Sequence, residues 1–557
     1  MSRIGLHLRT VRHMRAGQIL SLVAKRVVRI RGGTAPVPAV RPRGMALAAA
    51  PIAPGGDQDL VDGVAFLNHH VDFRGGCVDW RCAELPKLWR YNLHYFDYLL
   101  WPKVVAGRKQ ALLDDWIEEN PFGSGDAWEP YTVSLRLVNW IKYLIGSDAR
   151  SGPPPRWLHS LARQAAWLQR NLETHILANH YLKNAKALLF AGTYFDGQAA
   201  ERWRQRGAAI FAEQLREQFM DCGAHYELSP MYHCICVEDV LDVLNLVRGN
   251  PQSFANGFAS QLEDVARRGL DFLAGLLLPD GRMPLLNDAA FAIAPEPAAL
   301  FSYAGRLFGY ALPQQFQVAF PDAGYFILGR GTDRMVVDCG PVSPPYQPGH
   351  THCDLLSFEL AVDGLRIVVD AGVHDYDDGV ERRYCRSTAA HNTVSVDGAE
   401  QSELWGVFRV ARRAHPIAAS LEMGEEGKAV FRGEMVGFPS VEGRIRHRRE
   451  IVYDPERGWE ITDRISGRGA HRLNSYIHLH PELRLRRADE VYAVEDPTGR
   501  VVAQIVPFGA EGVEVIEGWY YPEFGVAQQN QGLRLNLHDV LPVSFGYRID
   551  KVAGVVG

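Results

Sequence analysis

Apolar residues recur at three- and four-residue spacing through the first half of the chain, as they do in amphipathic helices. The spacing predicts helices over residues 104–119, 131–146, 156–174, 176–195, 200–220, 231–248 and 259–278. Groups of Pro and Gly, such as Pro153 to Pro155, separate these segments. A run of helices without intervening strands predicts an all-α domain in which helical hairpins pack around a shared core.

Near residue 320 the period changes to the alternation that is typical of strands. The pattern predicts strands over residues 325–328, 335–337, 357–360, 365–369, 393–396, 444–452, 473–478, 501–506 and 533–537. Asp363-Gly364 and Asp397-Gly398 are hairpin turn signals between them. We therefore expect an antiparallel β domain, a sandwich of two sheets.

The length of 557 residues exceeds what one core can hold, so we expect several domains. We assign residues 1–60 to a basic helix with a Pro-, Gly- and Ala-rich extension, 61–315 to the all-α domain and 316–557 to the β domain. The composition, 47% hydrophobic and 22% charged, is typical of globular proteins, and the net charge of -5 argues against nucleic-acid binding. The eight cysteines form no zinc pattern and no dense disulfide framework, so we expect most of them to be free.

The first 31 residues form a segment in which Arg and Lys interrupt every apolar run. This pattern lacks the apolar stretch of a cleavable signal peptide, and the chain contains no run of about 20 apolar residues that would cross a membrane. The segment can lie on an anionic membrane surface as a basic amphipathic helix, or it can pack on the main body through Ile19, Leu20, Leu22 and Val23. We expect the packed arrangement.

Polar groups that can perform chemistry concentrate in the stretch from Pro348 to Asp354, directly before a predicted strand. His352 here, Asp370 after an apolar run and His391 before the strand at 393–396 form a His/Asp/His set that suits Zn²⁺. His350 would then be left free as an acid or a base. The alternative is that these are ordinary residues at turns and strand ends, since three ligands scattered over 40 positions form a weak motif.

Two clusters in the helical half also place polar groups on apolar patterns. Asn179, Lys183 and Lys186 share one helix face and would suit a carboxylate ligand, although the same spacing fits a solvated face. Tyr232 follows a Ser-Pro helix start, where a side chain in the first turn commonly faces a cleft, although a buried structural Tyr fits as well.

Aromatic residues interleaved with polar ones, at 89–98 and again at 128–131, are suited to a groove for a charged sugar polymer. An aromatic core at helical spacing would show the same pattern. The residues from which we expect substrate contact are Trp89, Tyr91, Asn92, His94, Trp128, His180, Lys183 and Tyr384.

Taken together, these motifs resemble the heparinase II/III family of polysaccharide lyases. The resemblance rests on Asn179-His180, Ser229-Pro-Met-Tyr232, Gly349-His-Thr-His-Cys-Asp354, Asp370-Ala-Gly372 and Ala390-His-Asn-Thr-Val394, and it covers roughly residues 85–480. It implies an incomplete (α/α) toroid followed by an antiparallel β-sandwich, which agrees with the fold predicted from the pattern. It also implies cleavage of uronic-acid-containing polysaccharides by β-elimination.

The resemblance assigns roles to the candidate residues. Asn179, with His180, would address the uronate carboxylate. Tyr232 would be the acid and, for one stereochemistry, also the base, and His350 would be the other base. A structural divalent metal, expected to be Zn²⁺, would be held by His352, Asp370 and His391.

The sequence departs from the family pattern at two points. Some members carry Glu where this chain has Lys183, which leaves the substrate subclass open. The family implies a bacterial cell-envelope or periplasmic setting, but no signal-peptide pattern is visible, so the cytoplasm stays possible. The basic start resembles members from polysaccharide-assembly systems, which favours an exopolysaccharide over host heparin.

Two other functions remain alternatives to the lyase. One is a catalytically inactive protein that binds acidic polysaccharide in an exopolysaccharide assembly system. The other is a toroid glycoside hydrolase, which needs two carboxylates at the scissile bond; Asp288 and Glu227 are the only candidates, and neither has a convincing partner.

Overall fold

The computed structural model describes residues 3–27, 41–42, 44–53, 55–73, 76–146, 152–316 and 318–552. Residues 28–40, which include the start of the predicted Pro-, Gly- and Ala-rich extension, lie outside these residues. The described helices are α1 (Arg3–Val11), α2 (Ala16–Val27), α3 (Lys87–Tyr95), α4 (Ala106–Glu119), α5 (Pro130–Gly146), α6 (Pro155–Arg170), α7 (Ala178–Tyr194), α8 (Gln198–Gln218), α9 (Pro230–Gly249), α10 (Phe258–Leu276), α11 (Pro297–Phe308) and α12 (Val380–Cys385).

All seven helices predicted from the spacing, α4 to α10, are present, most of them within two residues of the expected bounds. The largest difference is at α6, which ends at Arg170, four residues early. Asn171 leaves the helical conformation there, and its side-chain amide donates to the Trp167 carbonyl at 2.8 Å. Because that bond satisfies an end carbonyl, the helix stops without a glycine.

The helices α3 to α11 enclose one large core in which α7 is central. Every residue of α7 from Tyr181 to Tyr194 is buried, since its neighbours α5, α6, α8 and α9 cover all its sides. A helix buried all round is the arrangement expected for the inner layer of a toroid, and it accounts for the weak amphipathicity of this segment.

The strands follow mainly from residue 319 onward. They are β1 (Arg41–Pro42), β2 (Gly63–Phe66), β3 (His69–Asp72), β4 (Phe195–Asp196), β5 (Ala319–Phe320), β6 (Tyr325–Leu328), β7 (Arg334–Asp338), β8 (Phe358–Val362), β9 (Leu365–Val368), β10 (Val394–Val396), β11 (Leu404–Trp405), β12 (Arg409–Val410), β13 (His415–Met423), β14 (Ala429–Val436), β15 (Arg446–Asp454), β16 (Gly458–Ser466), β17 (Ala470–His478), β18 (Arg484–Ala488), β19 (Val491–Glu495), β20 (Val501–Phe508), β21 (Gly512–Tyr520), β22 (Gln528–Val540) and β23 (Val543–Lys551).

The β domain is antiparallel, as predicted, but its described strands form three larger sheets rather than two. Their orders are β5-β6-β7-β8-β9, β13-β14-β15-β16-β23-β20-β19-β18 and β10-β17-β22-β21. The three sheets bury their apolar faces in a common core. The alternation of apolar and polar residues identifies strands but not which strands pair. The pattern therefore could not predict the number of sheets.

Helices α1 and α2 pack on the main body, but through their polar sides. The side chains expected to make the contact are all exposed: Ile19, Leu20, Leu22 and Val23. Gln18, which lies on the side of α2 away from Leu20 and Val23, is buried and donates to the carbonyls of His175 and Tyr346. The expectation of an apolar contact is therefore wrong, because ion pairs and hydrogen bonds hold these helices instead.

Two further sequence expectations concern cysteines and membrane spans. The eight cysteines, all within the described residues, form no disulfide, as expected. Among the described helices, none has the length and apolar character needed to cross a bilayer.

Candidate functional site

Four short segments converge where the helical core meets the β domain. They are the starts of α7 and α9, the loop around Asn287 and the loop before β8. Four non-glycine residues at these segments have a positive φ between 53° and 66°: Leu177, Ala178, Leu228 and Asn287. Non-glycine residues in this region cost energy and cluster at functional sites, so the backbone here is held in place by its surroundings.

Glu227, just before α9, is the centre of this convergence. Its carboxylate accepts the backbone N–H of Asn179 at 2.9 Å and the side-chain Nδ2 of Asn179 at 3.0 and 3.1 Å. The other side of the carboxylate faces His350, whose Nε2 lies 3.1 Å from Oε2. One buried carboxylate thus joins two of the three predicted catalytic residues.

His350 lies between two carboxylates rather than free in a cleft. Its Nδ1 is 2.9 Å from Asp288 Oδ2, opposite the Glu227 contact. Burial alone would lower the pKa of His350, but the hydrogen bonds and charges of Asp288 and Glu227 outweigh it and raise the pKa to about 9. The expectation of an unengaged acid or base is corrected: the ring is an imidazolium at neutral pH and must release a proton before it can accept one.

Tyr232 stands in the first turn of α9 and completes the group. The Ser229 hydroxyl caps that turn by accepting from the Tyr232 N–H at 3.3 Å, as the Ser-Pro start predicted. The Tyr232 ring stacks on the His350 ring with centroids 3.8 Å apart, and its hydroxyl lies 3.1 Å from the Tyr376 hydroxyl. Burial, together with Tyr376 and the nearby carboxylates, raises the pKa of Tyr232 well above its usual range, so it holds its proton at neutral pH.

Asn179 presents one polar atom that the protein leaves without a partner. Its Oδ1 is buried and makes no hydrogen bond with any described residue. Its Nδ2 carries two hydrogens and contacts only Glu227. His180, the next residue, is half-buried, with its Nδ1 3.0 Å from Glu173 Oε1 and its ring 4.3 Å from that of Tyr131. An unpaired buried amide atom of this kind is typical of a binding site.

The predicted metal set is brought together in the β domain. His352, Asp370 and His391 are buried, and one potential ligand atom from each lies within 4.8 Å of the others. His352 Nε2 is fixed by Asp288 at 2.7 Å, and His391 Nδ1 by Asp370 at 2.7 Å. The remaining nitrogens, His352 Nδ1 and His391 Nε2, are buried without a partner among the described residues.

This pattern fits a divalent metal ion. Metal-ligating histidines donate one ring N–H to a carboxylate or carbonyl and turn the other nitrogen toward the ion. Burial lowers the pKa of His352 to about 4 in spite of Asp288, so the ring is neutral, as a ligand must be. Three protein ligands leave a position for water in a tetrahedral site, although His/Asp sets accept several first-row metals.

Lys183 does not face a ligand, contrary to the sequence expectation. Its side chain is buried, and its Nζ lies 2.7 Å from Asp239 Oδ1. Lys186, on the same helix face, contacts Asp239 and Asp242. The shared face of α7 points into the helical core, where buried carboxylates of α9 neutralise it, so Lys183 is a structural residue.

Three aromatic candidates are also core residues. Trp89 is almost fully buried and donates to the His69 carbonyl at 2.9 Å. His94 accepts from Trp116 Nε1 at 3.1 Å, and burial beside Arg136 lowers its pKa to about 3. Trp128 is buried too. Their aromatic pattern reflects the packing of α3 and its neighbours, which was the alternative interpretation.

The other expected substrate contacts are half-buried and stay predictions. Tyr91 binds Glu129, and Asn92 donates to the Leu88 carbonyl of its own helix. Tyr384 accepts from the Trp519 N–H at 3.2 Å.

Sequence reasoning missed the roles of four residues in this site: Glu227, Asp288, Tyr376 and Arg382. Asp288 accepts from both His350 and His352 and is paired with Arg382, whose Nη2 lies 2.9 Å from Oδ2. The charge of Arg382 and the two histidines together hold the pKa of Asp288 well below its usual range despite burial. Glu227 and Asp288 were noticed only as hydrolase candidates, and Tyr376 and Arg382 lie in segments with no motif to mark them.

Comparison with known proteins identifies both halves of the chain. Residues 109–302 match the family described as Heparinase II/III N-terminus, and residues 314–544 match Heparinase II/III-like, C-terminal. A heparin-sulfate lyase of Bacteroides stercoris is 23% identical over 510 residues, which cover 80% of this chain and 72% of that protein.

Other relatives are matched over shorter lengths. A heparin-sulfate lyase of Pedobacter heparinus is 26% identical over 51% of this chain, and the match spans about half of that protein, 47%. FtsZ-localized protein C of Caulobacter vibrioides is 25% identical over 64% of this chain and 61% of its own length. The crystal structure of heparinase III superimposes with a TM-score of 0.68 at 19% identity, covering 86% of this chain and 79% of that one, so the two share a fold.

Proposed function

The chain belongs to the heparinase II/III family, and from this premise we propose that it cleaves a uronic-acid-containing polysaccharide by β-elimination. Relatives named heparin-sulfate lyases support a polysaccharide lyase. The observation that carries the proposal is that Asn179 and His350 meet on one buried carboxylate, that of Glu227, while the Tyr232 ring stacks on His350. A protein that only bound sugar would not require an acid and a base in mutual contact.

In the proposed reaction, a base removes the C5 proton beside the uronate carboxylate. The electrons of the C5–H bond form the C4–C5 double bond, the C4–O4 bond breaks, and the O4 leaving group takes a proton. Tyr232, which holds its proton at neutral pH, is the proposed donor to O4. His350 is the proposed base for one stereochemistry and Tyr232 for the other, and whichever of them acts as the base must first release its own proton.

Asn179 and the charge around it are proposed to stabilise the developing enolate. An amide N–H directed at the uronate carboxylate would offset the negative charge that grows at C5, and where Tyr232 is the base the His350 imidazolium would add to this effect. Glu227 acts here as a positioning residue, because it holds the Asn179 side chain and the His350 ring in one arrangement. Groups held before the reaction need no reorganisation during it.

We propose that His352, Asp370 and His391 hold one divalent metal, and Zn²⁺ is a good match to two imidazoles and one carboxylate. When bound, the metal would supply a structural brace in the β domain beside the catalytic loop. The two unpartnered imidazole nitrogens support this assignment. The ligand set keeps no protein group spare for chemistry, so the steps above do not use the metal.

For the substrate we propose a bacterial exopolysaccharide or a glycosaminoglycan-like polymer. Three of the relatives are named for heparin sulfate, but the resemblance implies that some family members carry Glu where this chain has Lys183. A second candidate function is an inactive polysaccharide-binding protein on the same fold, since one relative, FtsZ-localized protein C, is not named as a lyase. The hydrolase alternative loses support, since Glu227 and Asp288 are both engaged by His350.

The decisive experiment is ultraviolet absorbance over a panel of acidic polysaccharides. Elimination creates an unsaturated uronate that absorbs, whereas hydrolysis and binding do not. Tyr232→Phe should lower kcat by about 10²–10⁴-fold with little change in KM, since the acid is needed only in the transition state. Tyr310→Phe, which also removes a hydroxyl that donates to a carboxylate, Asp271, is the matched control and should keep wild-type turnover.

Two results would contradict the proposal. No absorbance change with any polymer of the panel, together with measurable binding, would favour the inactive protein. Wild-type turnover in Tyr232→Phe would reject the assigned acid.

A further inference from the structure

Helices α1 and α2 turn their large apolar side chains away from the protein. The exposed fractions are 72% for Ile4, 67% for Leu8, 41% for Val11, 36% for Ile19, 69% for Leu20, 38% for Leu22 and 55% for Val23. Ile4, Leu8 and Val11 share one face of α1 by helical spacing, and Ile19, Leu20 and Val23 lie on one side of α2. Each helix is therefore amphipathic with its apolar face outward.

The polar sides of the same helices are fastened to the body. On α1, Arg9 pairs with Glu403 at 2.8 Å, and the Thr10 hydroxyl accepts from Trp405 Nε1 at 2.9 Å. Contacts of this kind define the orientation of α1, because rotating the helix to bury Leu8 would break them.

The second helix is held in the same way, by contacts to the helical domain. The Arg15 guanidinium, directly before α2, pairs with Glu217 at 2.5 Å and lies 3.8 Å from the Tyr346 ring centre. The Ser21 hydroxyl is 2.9 Å from that of Thr174. Polar contacts to both halves of the molecule thus leave the apolar faces of both helices free.

The concentration of exposed apolar side chains is local. Of the 19 large hydrophobic residues that are exposed among those the structure describes, seven lie between Ile4 and Val23, and the other twelve are scattered over the rest of the chain. Single exposed apolar residues are normal, but a grouped set marks an interaction surface. Amphipathic helices on globular proteins otherwise bury this face.

The charge of the segment identifies the partner. Residues 1–31 contain eight Lys and Arg and no Asp or Glu, while the whole chain has a net charge of -5. Aliphatic side chains beside a basic excess are the composition of helices that lie in the interface of an anionic bilayer. Protein interfaces favour aromatic residues and avoid charge at their centre, and the seven exposed side chains of α1 and α2 include no aromatic residue.

We propose that α1 and α2 form a membrane-contact segment that lays the enzyme on an anionic lipid surface with its apolar side chains in the headgroup region. This surface function is independent of the lyase reaction and would stand if the reaction proved different. In the proposed arrangement the Arg9 and Arg15 ion pairs fix the orientation of the folded domains relative to the bilayer.

The experiment is sedimentation of the full chain with vesicles of phosphatidylcholine alone and of phosphatidylcholine mixed with phosphatidylglycerol. We expect binding to the anionic vesicles that weakens as salt is raised, and weaker binding to the neutral ones. Leu8→Glu combined with Leu20→Glu should lower the partition coefficient about tenfold or more, because methylene groups that enter the acyl boundary contribute to binding. Both side chains are exposed, so the variant should keep the wild-type melting temperature and circular dichroism.

Val515→Glu combined with Val540→Glu is the matched control, since it places the same two charges on exposed apolar positions of the β domain. It should bind vesicles as the wild type does. Absence of wild-type binding to anionic vesicles, or equal binding by the double variant, would overturn the proposal. A wild-type dimer in solution that Leu8→Glu dissociates would also overturn it, because the face would then be an interface between copies.

Discussion

Glu227→Gln tests the central feature of the site, the carboxylate shared by Asn179 and His350. Gln has nearly the same shape as Glu but replaces one acceptor oxygen by an NH₂ donor. The two oxygens of Glu227 currently accept from the Asn179 backbone and side chain and face His350 Nε2. In the variant, the new NH₂ group must face another donor, so at least one of these contacts is lost.

The magnitude follows from the charge state of Glu227. Burial alone would raise its pKa, but the hydrogen bond and charge of His350, the charge of His225 and the Asn179 N–H lower it from 4.5 to about 2. A depression of this size contributes about 3 kcal/mol of stability at neutral pH. Because the folded-state pKa is lowered, this contribution is present above the unfolded value and is lost as the pH falls from 4.5 toward 2. The stability gap between wild type and Glu227→Gln should therefore shrink over that interval.

The catalytic effect comes from misplacement. With Asn179 and His350 no longer tied together, shifts of about 1 Å are enough to lower kcat by about 10²-fold. The assay is the initial rate of ultraviolet absorbance per folded molecule, combined with thermal unfolding at several pH values. Wild-type kcat in the variant would refute the positioning role.

Asp463→Asn is the control for nonspecific damage. Asp463 is also a buried carboxylate, with His447 Nε2 and Arg449 Nε each 2.7 Å from Oδ1, but it lies within the β domain. We expect this variant to lose stability while the folded fraction retains its kcat. An equal loss of kcat in both variants would mean that the Glu227 result reports general destabilisation.

Two further predictions concern structural roles. Lys183→Met should lower the melting temperature and leave KM unchanged, because removing one partner of a buried ion pair costs about 3–5 kcal/mol of stability. A raised KM with an unchanged melting temperature would instead indicate that Lys183 binds the substrate. Chelation, or His391→Ala, should lower the melting temperature, because a metal that binds only the folded state stabilises it. Elemental analysis of protein purified without added metal identifies the ion, and a metal-free protein of equal stability would exclude the site.

The sequence predicts the fold correctly wherever the apolar residues of a segment follow a single period. Helices α4 to α10 and strands such as β6 follow from local spacing, since 3.6- and 2-residue repeats are properties of the segment itself. The same logic failed for α3, whose aromatic residues were assigned partly to a sugar groove. Trp89 and a groove residue have the same local pattern, and only the tertiary contact with His69 distinguishes them.

The site was predictable as far as sequence motifs reach. The motifs identified Asn179, Tyr232 and His350. In the structure Asn179 and His350 both contact Glu227, and the Tyr232 ring stacks on that of His350. The contacts of Glu227 with Asn179 and of Arg382 with Asp288 bridge 48 and 94 positions of the chain. Such pairs arise from the closure of the fold, and no local spacing encodes them.

One carboxylate connects the proposed metal site to the proposed catalytic group. Asp288 Oδ1 lies 2.7 Å from His352 Nε2, and Oδ2 lies 2.9 Å from His350 Nδ1, while Arg382 balances the charge. A metal bound at His352 Nδ1 would fix the ring on one side of Asp288, and that carboxylate in turn orients His350 on the other. The influence of the metal would thus reach the catalytic group through a hydrogen-bonded carboxylate rather than through contact with the substrate. This is why we expect removal of the metal to reduce folding and activity together.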